Sequence, residues 1–300
     1  MNQTQPHYPV VCFGEILWDI LPQGKFPGGA PMNVAYHLKK LGLEPALVTR
    51  VGEDPNGQGL VGLMEANQVT TDFFQIDFEL PTGTVHAMVG KDHEVTYDFP
   101  RPVAWDNIQW EEGFVPLLTG ATYFVFGSLA SRSRVSRKTL YRMLEHAPRR
   151  VFDINLRPPH YELSTLESLM AGLHLLKLNL AELELITGWF APYRNATDRV
   201  RVLQDRFKIP NVVVTRGGDG AMLNHDGVIY EHPGFAVKLA DTIGAGDAFL
   251  AGLLSQFADG ADPPKALAFA SAMGAFVAGR SGPCPDYQLG EVDQLISTNS

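Results

Sequence analysis

One segment of the chain combines small residues, a helix start and a carboxylate. Residues 241–250 have the sequence DTIGAGDAFL, in which Gly244, Ala245 and Gly246 come directly before an apolar-periodic helix. Small residues at a helix start leave successive backbone N–H groups accessible, and these donors form a site for phosphate at the positive end of the helix dipole. Asp247 falls in the first helical turn. It is either an ordinary helix-start acid or a base that accepts a proton from a hydroxyl group attacking phosphorus.

A second segment combines a glycine pair with an amide side chain. Residues 26–36 have the sequence FPGGAPMNVAY, in which Gly28 and Gly29 permit close approach of the backbone to a ligand. Asn33 falls in the first turn of the helix that follows and carries a donor and an acceptor for a hydroxyl group. The alternative is an asparagine that satisfies nearby backbone. Asp19, in an apolar run after the first strand, is either an exposed strand-end acid or a ligand for sugar hydroxyls.

Polar residues also follow three predicted strands. In open α/β sheets, ligands bind beyond the carboxyl ends of the strands. Each group is weak by itself, because polar turns at strand ends are common. The groups are Asn155 and Arg157 after Asp153, Asn179 and Glu182 after Lys177, and the TRGGDG segment from Thr215 through Gly217 to Gly220.

Several familiar motifs are excluded by their context. Residues 57–62 match the dinucleotide spelling GxGxxG, but residues 52–56 separate them from the preceding strand, whereas the fingerprint needs the turn directly after a strand. The chain has no GxxxxGK[ST] loop, and residues 279–283 (GRSGP) fail the GxSxG pattern of hydrolases. The nine histidines form no HExxH motif or Cys/His cluster, so we expect no zinc site.

Composition and charge restrict the class of protein. With 24 Lys+Arg against 33 Asp+Glu, the net charge of −9 argues against a nucleic-acid partner while leaving room for a local anion site. The two cysteines, Cys12 and Cys284, cannot form a disulfide framework, which favours a reducing cytoplasm. The N-terminal residues lack a signal-peptide pattern, and the charge-free stretch 113–131 contains Pro116 and several glycines. We therefore expect a soluble cytoplasmic protein that does not span a membrane.

The elements that must position these residues alternate along the chain. Short β-branched or aromatic runs are separated by helical patterns, which favours an α/β fold with a mostly parallel sheet. Residues 221–224 and 228–231 flank a turn and predict an antiparallel hairpin at one edge, and helices at 245–257 and 264–279 are expected to end the chain. The other predicted strands are 10–16, 46–51, 122–126, 151–154, 174–177 and 212–215, and the other predicted helices are 31–41, 58–67, 166–173, 180–187 and 197–207.

One region interrupts the alternation. Residues 84–90 and 94–99 alternate polar and apolar side chains around the turn Lys91-Asp92-His93, and residues 18–26 are similarly β-like. These pieces predict a small inserted β layer. It is either an edge hairpin or a lid over a ligand.

With these residues assembled, the chain resembles the ribokinase-like (PfkB-type) carbohydrate kinases from residue 14 to about residue 285. Both family signatures are present in order, GGAPMNVA at 28–35 and DTIGAGD at 241–247. Bacterial fructokinases are the most similar members, on the segments 14–19 (GEILWD), 81–85 (PTGTV), 104–106 (AWD) and 152–157 (FDINLR). The resemblance implies a three-layer α/β/α sandwich with a mostly parallel central sheet. It also implies one kinase domain over residues 1–300 and a lid from about 17–27 and 82–103 that often makes a homodimer contact.

The resemblance also implies a role for each motif. Asp247 matches the catalytic base, and the backbone of Gly244, Ala245 and Gly246 matches the anion hole. The positions that match sugar-binding residues are Asp19, Gly28, Gly29 and Asn33. Those that match nucleotide-binding residues are Asn179, Thr215, Gly217, Gly220 and, more loosely, Arg157. Glu182 matches a residue that acts on Mg²⁺ through water, and Asp241 matches a monovalent-cation site used by many members, so K⁺ is a further expected cofactor.

We therefore expect ATP-dependent phosphorylation of D-fructose to fructose 6-phosphate. The alternatives within the class are a 2-keto-3-deoxygluconate kinase, a ribokinase, and an adenosine or inosine kinase. A ketodeoxygluconate kinase needs a cation for the substrate carboxylate; residues 97–99 offer none, although Arg101 is close in sequence. The alternative from another class is a catalytically silent regulator that binds a sugar or nucleotide, and the retained Asp247 argues against it.

Overall fold

The computed structural model describes residues 7–21, 24–89, 95–190, 192 and 195–298. The strands are β1 Val10–Phe13, β2 Leu17–Leu21, β3 Gly24–Gly28, β4 Pro45–Gly52, β5 Phe74–Asp77, β6 Gly83–Val89, β7 Val95–Asp98, β8 Tyr123–Gly127, β9 Arg150–Asp153, β10 Leu175–Asn179, β11 Asn211–Thr215, β12 Ala221–His225 and β13 Val228–His232. The helices are α1 Ala30–Lys40, α2 Pro55–Ala66, α3 Phe114–Gly120, α4 Arg134–His146, α5 Leu163–Met170, α6 Leu180–Gly188, α7 Ala196–Phe207, α8 Ala245–Ala258, α9 Pro263–Ala278 and α10 Leu289–Thr298.

The chain divides into two compact units. Unit 1 comprises residues 1–126 and 130–150, and unit 2 comprises residues 127–129 and 151–300. The strands of unit 1 in the larger sheet follow the order β8-β1-β4-β5, and all of these pairs are parallel. All four residues of β1 are buried, as expected for a strand covered on both faces.

A smaller four-stranded sheet also lies in unit 1. Its order is β3-β2-β6-β7, in which β2 pairs parallel with β6 and antiparallel with β3. The sheet is built from the segments whose alternation predicted an inserted β layer. The predicted turn Lys91-Asp92-His93 lies outside the described residues.

In unit 2 the larger sheet contains three neighbouring parallel strands, β9, β10 and β11. β12 and β13 then add the antiparallel hairpin that the sequence predicts. Parallel pairs predominate in the larger sheet, and the expected α/β class is confirmed. None of the helices in the described ranges is long and apolar enough to cross a membrane.

The prediction that two helices end the chain is wrong, because α10 follows them. Its sequence LGEVDQLIST is polar enough to escape an apolar-periodicity search, and Val292 is its buried residue. The turn before it is stabilised locally: the Glu291 carboxylate accepts hydrogen bonds from the Gln288 backbone N–H at 2.9 Å and from Arg280 Nη2 at 2.6 Å. Its acidic first turn also suits the positive end of the helix dipole.

Asp77, at the end of β5, predicts an acid-sensitive contribution to the stability of the fold. Burial acts to raise the pKa of this carboxyl group, but hydrogen bonds from Asn107 and from the backbone of Leu80 and Glu79, with the charge of Arg50, lower it to about 2. A depressed folded-state pKa stabilises the fold above the ordinary value near pH 4, and this contribution is lost as the pH falls towards 2.

Asp77→Asn is expected to lower the free energy of unfolding at pH 7 by about 2 kcal/mol. Its urea midpoint should also fall less than that of the wild type between pH 4 and pH 2. The matched control is Asp72→Asn, which changes an exposed aspartate of the same unit. Equal acid sensitivity in the Asp77 variant and the wild type would contradict this assignment.

Candidate active site

The start of α8 is a helix N-terminus with a glycine cap, the kind of position at which backbone N–H groups can bind an anion. Gly244 is its N-cap in the left-handed conformation (φ 76°), and Ala245 is its first residue. The N–H of Ala245 donates to the Thr242 carbonyl at 3.3 Å, and that of Ala248 donates to the Gly244 carbonyl at 2.9 Å. Gly244, Ala245 and Gly246 are each only partly exposed. We call the backbone amides of these three residues the amide cluster.

A C-terminal loop packs directly against Gly244. A Cβ at this glycine would lie 2.5 Å from Pro283 Cβ and 2.6 Å from Pro283 Cα. Asp241 holds the same loop, because one of its oxygens accepts the Ile243 N–H at 3.0 Å and the other accepts the Gly282 N–H at 3.4 Å. The predicted cation ligand is thus the residue that ties residues 241–244 to the loop. A carboxylate is an oxygen donor of the kind that a hard cation prefers, and the cation role of Asp241 stays a prediction.

Asp247 lies in the first turn of α8 and is 8% exposed. A buried ion pair, in which Lys177 Nζ of β10 lies 2.6 Å from Asp153 Oδ2 at the end of β9, interacts with the Asp247 charge. Asp247 is therefore close both to the amide cluster and to the Lys177 ammonium group. Burial distinguishes Asp247 from a solvated helix-start acid, and its role as a proton acceptor stays a prediction.

The pKa directions show which charged groups interact in this part of unit 2. Burial acts to lower the pKa of Lys177, but the Asp153 carboxylate, followed by that of Asp247, outweighs burial and the pKa is raised. The pKa of Glu182 is raised, chiefly by burial. Burial, with the negative charge of Asp247, also raises the pKa of the Cys284 thiol.

Asn179 and Glu182 form a capping box at the start of α6. The Asn179 side chain accepts the Glu182 N–H at 2.9 Å, and Glu182 Oε2 accepts the Asn179 N–H at 2.8 Å. Glu182 Oε1 accepts the Leu156 N–H at 2.7 Å. Both carboxylate oxygens therefore already accept backbone N–H groups. The local N-x-x-E pattern explains the bonds between Asn179 and Glu182 without any ligand, whereas the bond from Leu156 joins residues 26 positions apart.

The Glu182 carboxylate fits a magnesium ion that is held through water. Within the described ranges no group of three or more His, Cys, Asp or Glu side chains is placed to hold a metal ion. Mg²⁺ usually keeps several waters and binds one or two carboxylates together with the phosphates of its substrate. The buried Glu182 carboxylate, whose oxygens each retain a lone pair beyond the amide that they accept, suits the role of an acceptor for such waters.

The predicted nucleotide loop follows β11. Thr215 is the last residue of that strand, and Gly217 begins a 3₁₀ turn that ends before Gly220. The Arg216 N–H donates to the Gly220 carbonyl at 2.8 Å and closes the turn. Arg157, after β9, is partly exposed, and its Nη1 donates to the Leu156 carbonyl at 3.0 Å.

The predicted sugar-binding residues lie in unit 1. Asp19 is on β2, opposite Phe26 of β3 and Val85 of β6. Gly28 ends β3, where a Cβ would overlap Asp19 Oδ2 and lie 2.9 Å from Asp19 Cγ. Gly29 is the N-cap of α1, and Asn33 is buried in its first turn, where its N–H donates to the Gly29 carbonyl at 2.9 Å.

Two buried charged residues near the start of α8 were not among the predicted site residues. Lys177 and Asp153 were treated only as strand ends, although both are buried and Lys177 interacts with Asp153, Asp247 and Glu182. A lysine inside the apolar run HLLKLNL was an available sign, because lysine is almost never fully buried without a partner. A surface cavity of about 540 Å³ in unit 1, lined by Tyr8, Glu65 and Asp72, includes none of the predicted site residues.

Comparison with known proteins decides the family. Residues 21–288 match the pfkB family of carbohydrate kinases. The chain belongs to this family. A fructokinase of Klebsiella pneumoniae is 30% identical over 271 residues, which cover 86% of this chain and 87% of that protein.

Solved structures of pfkB kinases have the same fold. A fructokinase of Xylella fastidiosa with bound ATP has a TM-score of 0.87 and 25% identity, over 96% of this chain and 98% of that one. A fructokinase of Vibrio cholerae bound to fructose, ADP and calcium has a TM-score of 0.82 and 24% identity, over 97% and 99%. The ribokinase-like fold and the sugar-kinase class expected from the two sequence signatures are therefore confirmed, whereas the roles of individual residues stay predictions.

Proposed function

We propose that this pfkB sugar kinase transfers the γ-phosphoryl group of ATP to the primary hydroxyl of D-fructose and forms fructose 6-phosphate. The observation that carries the proposal is the buried Asp247 in the first turn of α8, next to the amide cluster. Relatives named fructokinase, including one with bound ATP, support the choice of both substrates.

The chemistry follows from this arrangement. The sugar hydroxyl oxygen attacks the γ-phosphorus, the bond between that phosphorus and the leaving oxygen of ADP breaks, and Asp247 accepts the hydroxyl proton. The amide cluster stabilises negative charge on the transferring group, because N–H donors at a helix N-terminus point towards an anion. Phosphoryl transfer depends mainly on such positioning and charge neutralisation.

The residues after β10 and β11 are proposed to hold the nucleotide. Thr215, Gly217 and Gly220 would contact ATP, and Asn179 and Arg157 would lie near its phosphates. Mg²⁺ neutralises phosphate charge when it is bound, and Glu182 would orient its waters. Asp241 is proposed to hold a monovalent cation such as K⁺ beside the amide cluster.

The residues of unit 1 are proposed to bind the sugar. Asp19 and Asn33 carry the acceptor and donor groups that recognise hydroxyls, and the smaller sheet would act as a lid that excludes water from the reaction. We also propose a homodimer through this sheet. A cytoplasmic location is proposed because both cysteines are free thiols.

The substrate is tested by a coupled assay of ADP release. The purified protein is offered fructose, ribose, 2-keto-3-deoxygluconate, adenosine and inosine in turn, each with MgATP. We expect the largest kcat/KM for fructose. A larger value for another acceptor would reassign the substrate, and no turnover on any of them, with ATP still bound, would leave a silent sugar- or nucleotide-binding protein.

The contact between Gly28 and Asp19 gives a direct test of the sugar site. A methyl group at residue 28 would displace the Asp19 carboxylate. Gly28→Ala is therefore expected to raise the KM for the sugar by about tenfold or more, because charged hydrogen bonds to the substrate would be lost, with a smaller change in kcat. Gly62→Ala is the control, because a Cβ on that exposed residue of α2 meets nothing within 4 Å. Unchanged steady-state kinetics for Gly28→Ala would remove Asp19 from the sugar site.

A further inference from the structure

Lys177 is a buried lysine whose presence stability alone does not explain. It is 6% exposed on β10, and its Nζ lies 2.6 Å from Asp153 Oδ2. Desolvation of two charges largely cancels their attraction, so a hydrophobic pair of similar volume is often equally stable. In the described part of the chain the other oxygen, Asp153 Oδ1, is buried without a hydrogen-bond partner. An ion pair between two parallel strands that is incompletely satisfied indicates a functional role.

The ammonium group lies against the first turn of α8. A Cβ built on Gly246 would be 3.3 Å from Lys177 Nζ and 3.8 Å from Lys177 Cε. A cation at this position opposes the helix dipole, whose positive end is at the N-terminus. Carboxylates offset this repulsion: Asp153 pairs directly with Lys177, and Asp247 is the carboxylate that α8 itself supplies.

We infer that Lys177, anchored by Asp153, is a positioning residue that fixes the charged carboxylate of Asp247 at the start of α8. The inference rests on the proposed function, in which Asp247 is the base. Lys177 acts through Asp247 and takes no proton from the sugar.

The titratable groups that interact with Lys177 or with Asp247 come from several elements. Asp153 ends β9, Lys177 lies on β10, Glu182 lies in the first turn of α6, and the Cys284 thiol lies on the C-terminal loop. The Asp153 and Glu182 carboxylates, which share Lys177 with Asp247, disfavour the charged form of Asp247, whereas Lys177 and the amide cluster favour it. The Cys284 thiol stays neutral because its pKa is raised, so it adds no opposing charge. Lys177 is therefore the group whose removal should shift the balance most clearly towards protonation of Asp247.

The first test is Lys177→Met, which keeps the length of the side chain and removes its charge. We expect the acid limb of kcat/KM against pH to move upwards by about one pH unit or more. kcat should fall by about tenfold because the base is less firmly held, while KM for ATP and for the sugar changes by less than about threefold.

The second variant, Asp153→Asn, separates electrostatics from disruption. It breaks the same ion pair but removes a negative charge and leaves Lys177 available to Asp247, so the acid limb should move downwards, by about half a pH unit. Damage to the fold alone would shift the acid limb of both variants in the same direction. Arg132→Met, which breaks the buried Arg132–Asp106 pair of unit 1, should lower stability and leave the acid limb in place.

A readout without turnover keeps the inference separate from the proposed function. In protein labelled with ¹³C at aspartate carboxyls, the Asp247 signal is assigned by its loss in Asp247→Asn and titrated directly. Its midpoint should rise in Lys177→Met and fall in Asp153→Asn, even if no sugar is phosphorylated. An unchanged midpoint in folded Lys177→Met, or a rise in Asp153→Asn, would overturn the inference. Should Lys177→Met fail to fold, the direction of the Asp153→Asn shift decides alone.

Discussion

Asp247→Asn is expected to lower kcat by about 10³- to 10⁴-fold, the largest effect of any single substitution in this chain. Asparagine keeps the size of the side chain but cannot accept the proton that the sugar hydroxyl releases, and general-base catalysis by a positioned carboxylate contributes on this scale. The binding of ATP should change by no more than about twofold, because the proposed nucleotide contacts come from other residues. Single-turnover kinetics with saturating ATP and fructose measure the first effect, and titration calorimetry with ATP measures the second.

The structure also predicts that this variant folds. Lys177 keeps its 2.6 Å contact with Asp153 when the Asp247 charge is removed, so no buried cation is left without a carboxylate. The matched control is Asp198→Asn, which changes an exposed acid in the first turn of α7 in the same unit. We expect wild-type turnover for the control. Wild-type turnover in Asp247→Asn itself would remove the general-base assignment and return this residue to the role of a helix-start acid.

Local patterns carried most of the fold prediction. Strands such as β8 and β11 are short apolar runs with clear turns on either side, and their observed bounds differ from the predicted ones by one residue. Helix α4 was missed although Leu140, Met143 and Leu144 lie at helical spacing on its buried face, because these apolar residues are mixed with charged ones in RVSRKTLYRMLEH. Its buried face includes Ser136 and Thr139, whose hydroxyls donate to backbone carbonyls at 2.7 Å. A hydrophobic pattern does not reveal the part of a helix face that is buried through hydrogen bonds, here Ser136 and Thr139.

The candidate site also has one part that local sequence patterns predict and another that they do not. The amide cluster and Asp247 were predictable because a run of small residues at a helix start has a direct physical consequence. The capping box of α6 was also visible as N-x-x-E, although the sequence does not show that both Glu182 oxygens accept backbone N–H groups. The pair of Lys177 and Asp153 joins residues 24 positions apart. Only the parallel pairing of β9 with β10 brings them together, so no local pattern could have predicted it.

Gly244→Ala is expected to cause the second large effect, because two costs act at one residue. Alanine in the left-handed conformation observed at Gly244 is strained, and its Cβ would lie 2.5 to 2.6 Å from Pro283. Together these should lower the free energy of unfolding by about 2–4 kcal/mol. Relief of the overlap requires movement of the C-terminal loop or of the start of α8. Because that movement misaligns the amide cluster, kcat should also fall by about a hundredfold or more.

Gly260 supplies a matched control at the other end of α8. Its φ of 75° is within one degree of that of Gly244, but a Cβ on Gly260 meets nothing within 4 Å. Gly260→Ala should therefore show only the backbone strain, about 1 kcal/mol in urea unfolding, with wild-type kcat. The difference between the two variants isolates the contact with Pro283. If both lose the same stability and Gly244→Ala keeps its turnover, close packing of the loop on Gly244 has no part in forming the anion site.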